Sequence, residues 1–217
     1  MDNFEDQWKS FLPKVRNNYR KALSHYLSFK LFHAQEITEK IIESFHKIYV
    51  GTMDRNNAPS TYFFSWSYFK NLIMENLDNF SIAMVYYDKK PISTELIINY
   101  KETIFAFLGG TEAEYFKCRP NDFLRVEVIK WAIHNNMKYY VLGGGIKDGD
   151  GLYKHKKSLF PKEEDMMFYT GRKVIDQEIY AKLCFKANRH FADIPEPQLK
   201  HHFFPFYRAE QLIEYGA

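Results

Sequence analysis

Two glycine-containing segments follow apolar stretches of the chain, a position in which the backbone can approach a ligand closely. They contain Gly109, Gly110 and Thr111 in the first segment, and Gly143, Gly144 and Gly145 in the second. Glycine adopts positive φ at little cost, and an irregular strand end can leave an amide N–H free to polarise a carbonyl. Neither segment matches a GxGxxG motif or a P-loop. A purely structural turn is the alternative for the triple glycine.

A cluster of lysines follows the triple glycine and comprises Lys154, Lys156 and Lys157. A lysine beside a crevice at strand ends can stabilise the negative charge that develops on a reacting carbonyl. The alternative is a solvated run of charge. Asp150 and Asp148 lie just before these lysines. Because no third acid completes a calcium loop, we interpret them as turn and cap residues and expect no metal site.

Two carboxylates are candidates for a general base. Glu127 borders the apolar stripe of a predicted helix, and Glu95 lies within a predicted strand. A carboxylate with a raised pKa can accept the proton of an attacking amine, and we predict this role for Glu127. The alternative for each carboxylate is a structural position, at the rim of the apolar surface or on the solvent-exposed face of its helix or strand.

One basic patch lies near the start of the chain. Residues 4–23, within an N-terminal helical region over 1–27, are predicted as one helix with its acids first and its bases last, which suits the helix dipole. The bases Arg16, Arg20 and Lys21 are candidate phosphate contacts, as for tRNA. A solvated helix face is the alternative.

Arg55 lies in a predicted loop, 51–64, that is too long and too rich in turn formers to be a simple connection. Its guanidinium suits a phosphate or a carboxylate. We predict that Arg55, Tyr153 and Lys156 line one substrate groove with both glycine segments at its floor, and that Asp150 also binds the substrate. The alternative is an arginine that caps the preceding helix.

The elements that must position these residues follow from the periodicity of the apolar side chains. A weak strand over 28–33 and helices over 35–50 and 66–77 precede three consecutive strands between Phe80 and Leu108. The later elements are a helix capped by Asn121 or Asp122, a parallel strand over 139–145, a helix over 150–160, a strand over 166–175 and a helix over 177–187. The order predicts an α/β fold with a mixed, mainly antiparallel sheet, one parallel crossover and flanking helices.

The composition limits the class of protein. A chain of 217 residues is long enough for a substantial core, and we expect one domain over 1–217 with an aperiodic tail over 188–217. Thirty basic and twenty-seven acidic residues give a net charge of +3. This balance of charges is too even for a protein whose whole surface binds nucleic acid. Cys118 and Cys184 suggest neither a disulfide framework nor a zinc site. No apolar run is long enough for a membrane span, so we expect a cytoplasmic protein.

Residues 131–160 and 168–183 resemble the Fem-type peptidoglycan-bridge aminoacyltransferases and their relatives in the GNAT acyltransferase superfamily. The likeness rests on a strand ending in Leu-Gly-Gly-Gly, followed by Asp150 and Leu152 and then by the lysine segment. Three earlier segments also resemble that family: 16–22 (RNNYRKA), 52–55 (TMDR) and 119–124 (RPNDFL). Fem-type enzymes carry two such domains in tandem, and this chain matches the second. The resemblance implies a GNAT-like acyltransferase.

The resemblance also implies roles for particular residues. Lys156 matches the charge-stabilising lysine of the family, although His155 replaces the phenylalanine before it. The acyl-CoA phosphate loop of GNAT enzymes corresponds to 117–122, in which Arg119 and Asn121 are the candidate cofactor-binding residues. This segment contains no glycine. The resemblance implies acyl-CoA or aminoacyl-tRNA as the donor, and aminoacyl-tRNA would not need this loop.

The expected acceptor is an amine of a cell-wall or polysaccharide precursor that is linked to a nucleotide or a lipid. Two alternatives stay open. One is an acetyl-CoA-dependent N-acetyltransferase that acts on an amino sugar or another small amine. The other is a non-catalytic module that binds tRNA or the precursor.

Overall fold

A computed structural model describes residues 3–145, 147, 149–187 and 204–208. The predicted tail over 188–217 lies outside this range except for 204–208. The helices and strands, in chain order, are α1 (Phe4–Ser10), α2 (Pro13–Ser24), β1 (Ser28–His33), α3 (Glu39–Arg55), α4 (Trp66–Met74), β2 (Phe80–Tyr87), β3 (Lys90–Tyr100), β4 (Thr103–Thr111), α5 (Pro120–His134), β5 (Tyr139–Val141), α6 (Gly151–Lys157) and α7 (Gln177–Lys186).

The five strands form one sheet in the order β1-β2-β3-β4-β5. The first four are antiparallel neighbours, and β5 pairs with β4 in parallel through the crossover helix α5. The prediction of a mixed, mainly antiparallel sheet with one parallel crossover is confirmed. The weak strand pattern over 28–33 becomes β1, which adds a fourth antiparallel strand to the predicted three.

Helices cover both faces of the sheet, because the central strands are apolar on both sides. In β2, Ala83 and Val85 pack with α1, α2 and α5, whereas Ile82 and Met84 pack with α3 and α4. Alternate residues of a strand point to opposite faces, so one strand contributes to two cores. The helices α3 and α5 therefore lie on opposite sides of the sheet.

The N-terminal helical region consists of two helices, and the single helix predicted over 4–23 is wrong. The first ends at Ser10 and the second begins at Pro13. Proline lacks an N–H and clashes with the preceding helical turn, but the first turn of a new helix accepts it. The chain therefore turns at Leu12, whose backbone N–H donates to the carbonyl oxygen of Ser158 at 3.0 Å.

Two helix ends also differ from the predictions. The helix α3 extends to Arg55, so this residue lies in a last helical turn and not in a loop. Buried Thr52 anchors that turn, because its Oγ1 donates to the Ile48 carbonyl at 2.9 Å. The N-cap of α5 is Arg119, with φ of 59° and no side-chain cap, in place of the expected Asn121 or Asp122.

The strand predicted over 166–175 is wrong. These residues have no regular secondary structure, and Met166, Phe168, Tyr169 and Ile175 are each more than 80% exposed. The apolar composition favours a strand, but a strand is stable only when a neighbour satisfies its backbone hydrogen bonds. No strand pairs with this segment in the described part of the chain.

The chain divides into two compact units, with the boundary between Glu163 and Glu164. The sheet and the helices α1 to α6 belong to the first unit, and α7 belongs to the second. The prediction of a single domain over 1–217 stays a prediction. No helix within the described residues combines the length and the apolarity needed to cross a membrane.

Candidate active site

The parallel strands β4 and β5 pair over a short stretch and then part. Their register joins Thr103 to Tyr139 and Phe105 to Val141. The strand β4 continues to Thr111, and its pairing with β3 shifts between Leu108 and Ala106, which leaves Phe107 as a bulge. Crevices at the carboxyl ends of diverging parallel strands are common ligand sites, and both glycine segments lie at this end of the sheet.

The first glycine segment is closely packed on both faces of the sheet. A Cβ at Gly109 would lie 2.6 Å from the Thr94 carbonyl oxygen, and a Cβ at Gly110 would lie 2.5 Å from Thr52 Oγ1. The backbone N–H of Thr111 donates to the same Thr52 Oγ1 at 3.0 Å. Close backbone packing thus accounts for the two glycines, and their predicted contact with substrate stays a prediction.

The second glycine segment lies against the residues of α6 that were predicted to accompany it. Lys156 Nζ donates to the Gly144 carbonyl oxygen at 2.7 Å, and Gly143 has φ of +69°, which favours glycine. A Cβ at Gly145 would overlap the Asp150 carboxylate. The structure therefore brings the triple glycine, Asp150 and Lys156 together.

Asp150 is the N-cap of α6, as the turn-and-cap interpretation predicts. Its Oδ1 accepts the backbone N–H of Tyr153 at 2.7 Å, and its Oδ2 accepts that of Lys147 at 3.1 Å. The cap fixes the start of the helix that carries Lys156, with the Asp150 carboxylate against Gly145. Among the described residues, no cluster of three or more His, Cys, Asp or Glu side chains suits a metal ion.

A buried polar cluster lies on the α5 face of the sheet near Lys156. Arg125 Nη1 donates to Glu95 Oε1 and, at 2.7 Å, to the hydroxyl of Tyr140. The Tyr140 hydroxyl donates to Glu95 Oε2, and Phe160 packs edge-on against the Tyr140 ring. Glu95 was a candidate base, whereas Arg125 and Tyr140 were not predicted as functional residues.

The electrostatic environment changes the pKa of Lys156 and that of Glu95. Burial lowers the pKa of Lys156 from the usual 10.5, the Arg125 guanidinium lowers it further, and Glu95 and Asp150 raise it. Burial raises the pKa of Glu95, against the opposing effects of Arg125 and Tyr140. Lys156 therefore loses its proton more readily than a surface lysine.

Glu127 lies away from this cluster. Its Oε1 accepts hydrogen bonds from the Tyr19 hydroxyl at 2.5 Å and from Lys130 Nζ at 2.8 Å. Residues two positions apart on a helix point roughly 200° apart, so Glu127 and Arg125 occupy opposite faces of α5. The structure does not bring Glu127 to Lys156, and its role as a general base stays a prediction.

Arg55 reaches the end of β4 from the opposite face of the sheet. Its Nη1 donates to the Thr111 carbonyl oxygen at 2.7 Å, and its guanidinium lies 4.9 Å from the centroid of the Phe116 ring. Arg55 and Lys156 share no hydrogen bond within the described residues, and their helices cover opposite faces. Arg55 thus meets the first glycine segment and Lys156 meets the second, and a single groove that contains both stays a prediction.

The N-terminal end of α5 adjoins α6. Asn121 Nδ2 donates to His155 Nε2 at 3.3 Å, and Arg119 is exposed beside it in the left-handed conformation. Asp122 is 9% exposed and accepts a hydrogen bond from Asn18 Nδ2 at 3.1 Å. A buried carboxylate therefore occupies the first turn of α5, next to the predicted cofactor-binding residues.

The predicted phosphate contacts of α2 have different environments. Arg16 Nη1 donates to the backbone carbonyls of Trp8, Lys9 and Phe11 and so satisfies the C-terminal end of α1. Arg20 lies over the Trp8 ring, and Lys21 is exposed. Arg16 has a structural function, and phosphate binding by Arg20 and Lys21 stays a prediction.

The chain is similar to known proteins in sequence and in fold. Residues 9–157 match the family model of the acetyltransferase (GNAT) domain. No curated protein matches the chain in sequence. Among solved structures, FemX superposes with a TM-score of 0.62 and 15% identity over 73% of this chain and 56% of that chain. This chain therefore spans little more than half the length of FemX.

Two further structures share the fold. An aminoglycoside acetyltransferase from an uncultured soil metagenomic sample, in complex with sisomicin, gives a TM-score of 0.52 and 9% identity over 70% of this chain and 99% of that chain. L-PGS from Bacillus licheniformis gives a TM-score of 0.53 and 13% identity over 70% of this chain and 54% of that chain. At such identities the likeness shows the fold alone, whereas the family model matches most of the sequence. The chain belongs to the GNAT acetyltransferase family.

Proposed function

We propose that the protein transfers an aminoacyl or other acyl group onto a primary amine and that Lys156 stabilises the tetrahedral intermediate. The observation that carries the proposal is the position of Lys156 Nζ, 2.7 Å from the Gly144 carbonyl oxygen, where β4 and β5 diverge. Among the residues that the structure describes, no carboxylate is bonded to this ammonium group. It can exchange its contact with Gly144 for a contact with an oxyanion.

The chemistry is direct displacement. The amine nitrogen attacks the acyl carbonyl carbon, and the carbonyl electron pair moves to the oxygen to form an oxyanion that accepts a hydrogen bond from Lys156. The oxyanion then re-forms the carbonyl, the bond to the leaving oxygen or sulfur breaks, and the leaving group takes up the proton that the amine loses. A preorganised donor lowers the barrier because it is in place before the charge develops.

The N-terminal end of α5 supports aminoacyl-tRNA rather than acyl-CoA as the donor. A pyrophosphate at a helix N-terminus needs free backbone N–H groups and positive potential. Pro120 contributes no N–H, the 117–122 segment has no glycine, and the buried Asp122 carboxylate opposes a second anion there. Each feature weakens a cradle for the CoA pyrophosphate.

A group of exposed cations around this end of α5 supports a longer anionic donor. Arg119 precedes α5, Lys154 lies on α6 beside His155, and Lys14 acts electrostatically on the same His155 from α2. None of the three forms a salt bridge within the described part of the chain. They lie on α2, before α5 and on α6, and such exposed cations can contact successive phosphates of a nucleic acid.

The acceptor in this proposal is an amine on a cell-wall or polysaccharide precursor that carries a nucleotide or a lipid phosphate. Arg55 suits such a phosphate, since it lies at the end of β4 beside the exposed ring of Phe116. Charged tRNA and nucleotide-linked precursors are made in the cytoplasm, so the proposal places the protein there.

The pH dependence of transfer follows from the lowered pKa of Lys156. The protonated amine is the hydrogen-bond donor, and it is lost at lower pH than in an ordinary lysine. We expect kcat to fall on the alkaline side with a midpoint below 10.5, and Lys156→Arg to move the fall to higher pH. A kcat that rises through this range would instead make neutral Lys156 the active form.

Acetyl-CoA should bind weakly. We expect isothermal titration calorimetry to give a Kd weaker than ~1 mM, which corresponds to less than ~4 kcal/mol of binding free energy. The matched variant is Asp122→Asn, which removes the carboxylate and keeps the shape. Micromolar binding of acetyl-CoA to the wild type would overturn the proposed donor.

A second candidate is a single-domain N-acetyltransferase that acts on an amino sugar. It is favoured by the length match with the aminoglycoside acetyltransferase, which is covered over 99% of its chain. Transfer of a radiolabelled acetyl group from acetyl-CoA to an aminoglycoside, without transfer from charged tRNA, would support it. Binding of tRNA without transfer from either donor would support a non-catalytic module.

A further inference from the structure

The proposed chemistry leaves unused a buried ion pair in the middle of the sheet. Glu95 lies at the centre of β3 with 2% of its surface exposed, and Arg125 faces it from α5 with 15% of its side chain exposed. Burying two charges costs several kcal/mol per ion before their attraction is counted. Apolar residues of similar volume would usually stabilise the fold at least as much as this ion pair. Stability alone therefore does not explain why two charged residues occupy these positions.

The local structure makes room for the pair and fixes its geometry. Gly109 lies opposite Glu95 in the register of β3 and β4, so no side chain competes for that position. The Tyr140 hydroxyl accepts from Arg125 at 2.7 Å and donates to Glu95. Within the described residues, Arg125 Nε is buried without a hydrogen-bond partner. The cluster therefore retains an unfilled donor instead of satisfying every group.

Lys156 lies near this pair, because its Nζ donates to Gly144, four residues after Tyr140, and Phe160, four residues after Lys156, packs against the Tyr140 ring. The groups that act on its ammonium are Arg125 from α5, Glu95 from β3 and Asp150 from α6. Arg125 repels the ammonium, and the two carboxylates attract it. His155 on α6 also faces this region, and burial lowers its pKa, so it contributes little charge at neutral pH. Tyr140 on β5 stays neutral because burial raises its pKa well above the usual value.

We propose that the Glu95–Arg125 pair positions Lys156, an inference that rests on the proposed role of this lysine in transfer. Arg125 keeps the ammonium off the face of the sheet, so that Nζ lies against the Gly144 carbonyl at the crevice. Glu95 keeps the ammonium charged despite its partial burial. Glu95 and Arg125 are positioning residues, since they act through Lys156 and not on the reacting atoms.

The two partners must then have opposite effects on Lys156. Removing the positive charge in Arg125→Met raises the pKa of Lys156, and removing the negative charge in Glu95→Gln lowers it. A charge within ~4–6 Å of a titratable group changes its pKa by about one unit or more. General loosening of the core would expose Lys156 in both variants and would move its pKa in one direction only.

The test measures the reactivity of Lys156 without any substrate. Acetic anhydride acylates neutral amines, so the extent of labelling against pH, measured by peptide mass spectrometry, reports the midpoint for each lysine. We expect the Lys156 midpoint to rise by about one pH unit in Arg125→Met and to fall by about one unit in Glu95→Gln. Exposed Lys40 on α3 serves as the internal control and should not move.

A charge-preserving variant separates positioning from folding. Arg125→Lys should keep the Lys156 midpoint near that of the wild type, and Tyr140→Phe should leave it nearly unchanged. If Arg125→Met does not fold, the comparison of Glu95→Gln with Arg125→Lys still decides the question. Midpoints that do not move, or that move the same way in Glu95→Gln and Arg125→Met, would overturn the inference.

This test and the test of the proposed function can fail separately. Opposite shifts together with full transfer activity in Lys156→Met would support the electrostatic coupling and refute the role of Lys156. Unshifted midpoints together with loss of transfer in Lys156→Met would keep the proposed function and refute the positioning role.

Discussion

Substituting Lys156 by methionine should lower kcat for acyl transfer by ~10²-fold or more, with little change in KM. Loss of one donor to a developing oxyanion has an effect of this size in other acyl transfer reactions. Methionine retains the length and packing of the side chain but donates no hydrogen bond to the intermediate. The measurement is steady-state transfer of radiolabel from donor to amine.

Lys40→Met is the matched control for Lys156→Met. Lys40 is exposed on α3, on the other face of the sheet, so its substitution should leave kcat unchanged. Melting temperatures would verify that both variants fold. Wild-type kcat in folded Lys156→Met would remove this lysine from the mechanism.

The second large effect concerns the cations around α5. A triple variant in which Lys14, Arg119 and Lys154 are each replaced by glutamine should bind bulk tRNA about 10²-fold more weakly at ~0.1 M salt. Three lost phosphate contacts should also reduce the slope of log Kd against log salt concentration by about 2 to 3. Fluorescence anisotropy with labelled tRNA at several salt concentrations measures both quantities.

A triple variant with the same loss of charge distinguishes this surface from the net charge of the protein. Lys40, Lys47 and Lys101 are exposed, on α3 and at the turn between β3 and β4, and their replacement by glutamine should leave the salt slope nearly unchanged. Equal slopes for the two triple variants would refute the proposed surface. A reduced slope in an Arg20→Gln and Lys21→Gln variant alone would favour the patch predicted on α2.

The sheet could be predicted from the sequence because its strands carry strong local signals. The three strands between 80 and 111 are separated by tight turns, and apolar residues at helical spacing, among them Leu124, Val128 and Ala132, mark the helix that follows. These local features determine the strand order and the parallel crossover. The segment 166–175 shows the limit, since its residues favour a strand but have no neighbouring strand in the described structure.

The site was only partly predictable. The contact of Lys156 with the triple glycine joins segments close in sequence, so spacing alone places them together. The cluster of Glu95, Arg125 and Tyr140 joins β3, α5 and β5, and its contacts depend on strand register and on the rotation of α5 over the sheet. Periodicity does not give either quantity. An arginine between buried Leu124 and Val126 was the available signal that a buried acid must face it.

The most direct test of the proposed function is the formation of a new amide bond. Wild-type protein would be incubated with tRNA carrying radiolabelled amino acids and with a panel of amines, including nucleotide-linked amino sugars and peptides. Aminoacyl esters hydrolyse in mild alkali whereas amides survive it, so alkali-stable label measures transfer. The proposed function predicts alkali-stable label with the wild type, and at least ~10²-fold less with Lys156→Met. Label that stays alkali-labile throughout, although the tRNA is bound, would contradict it.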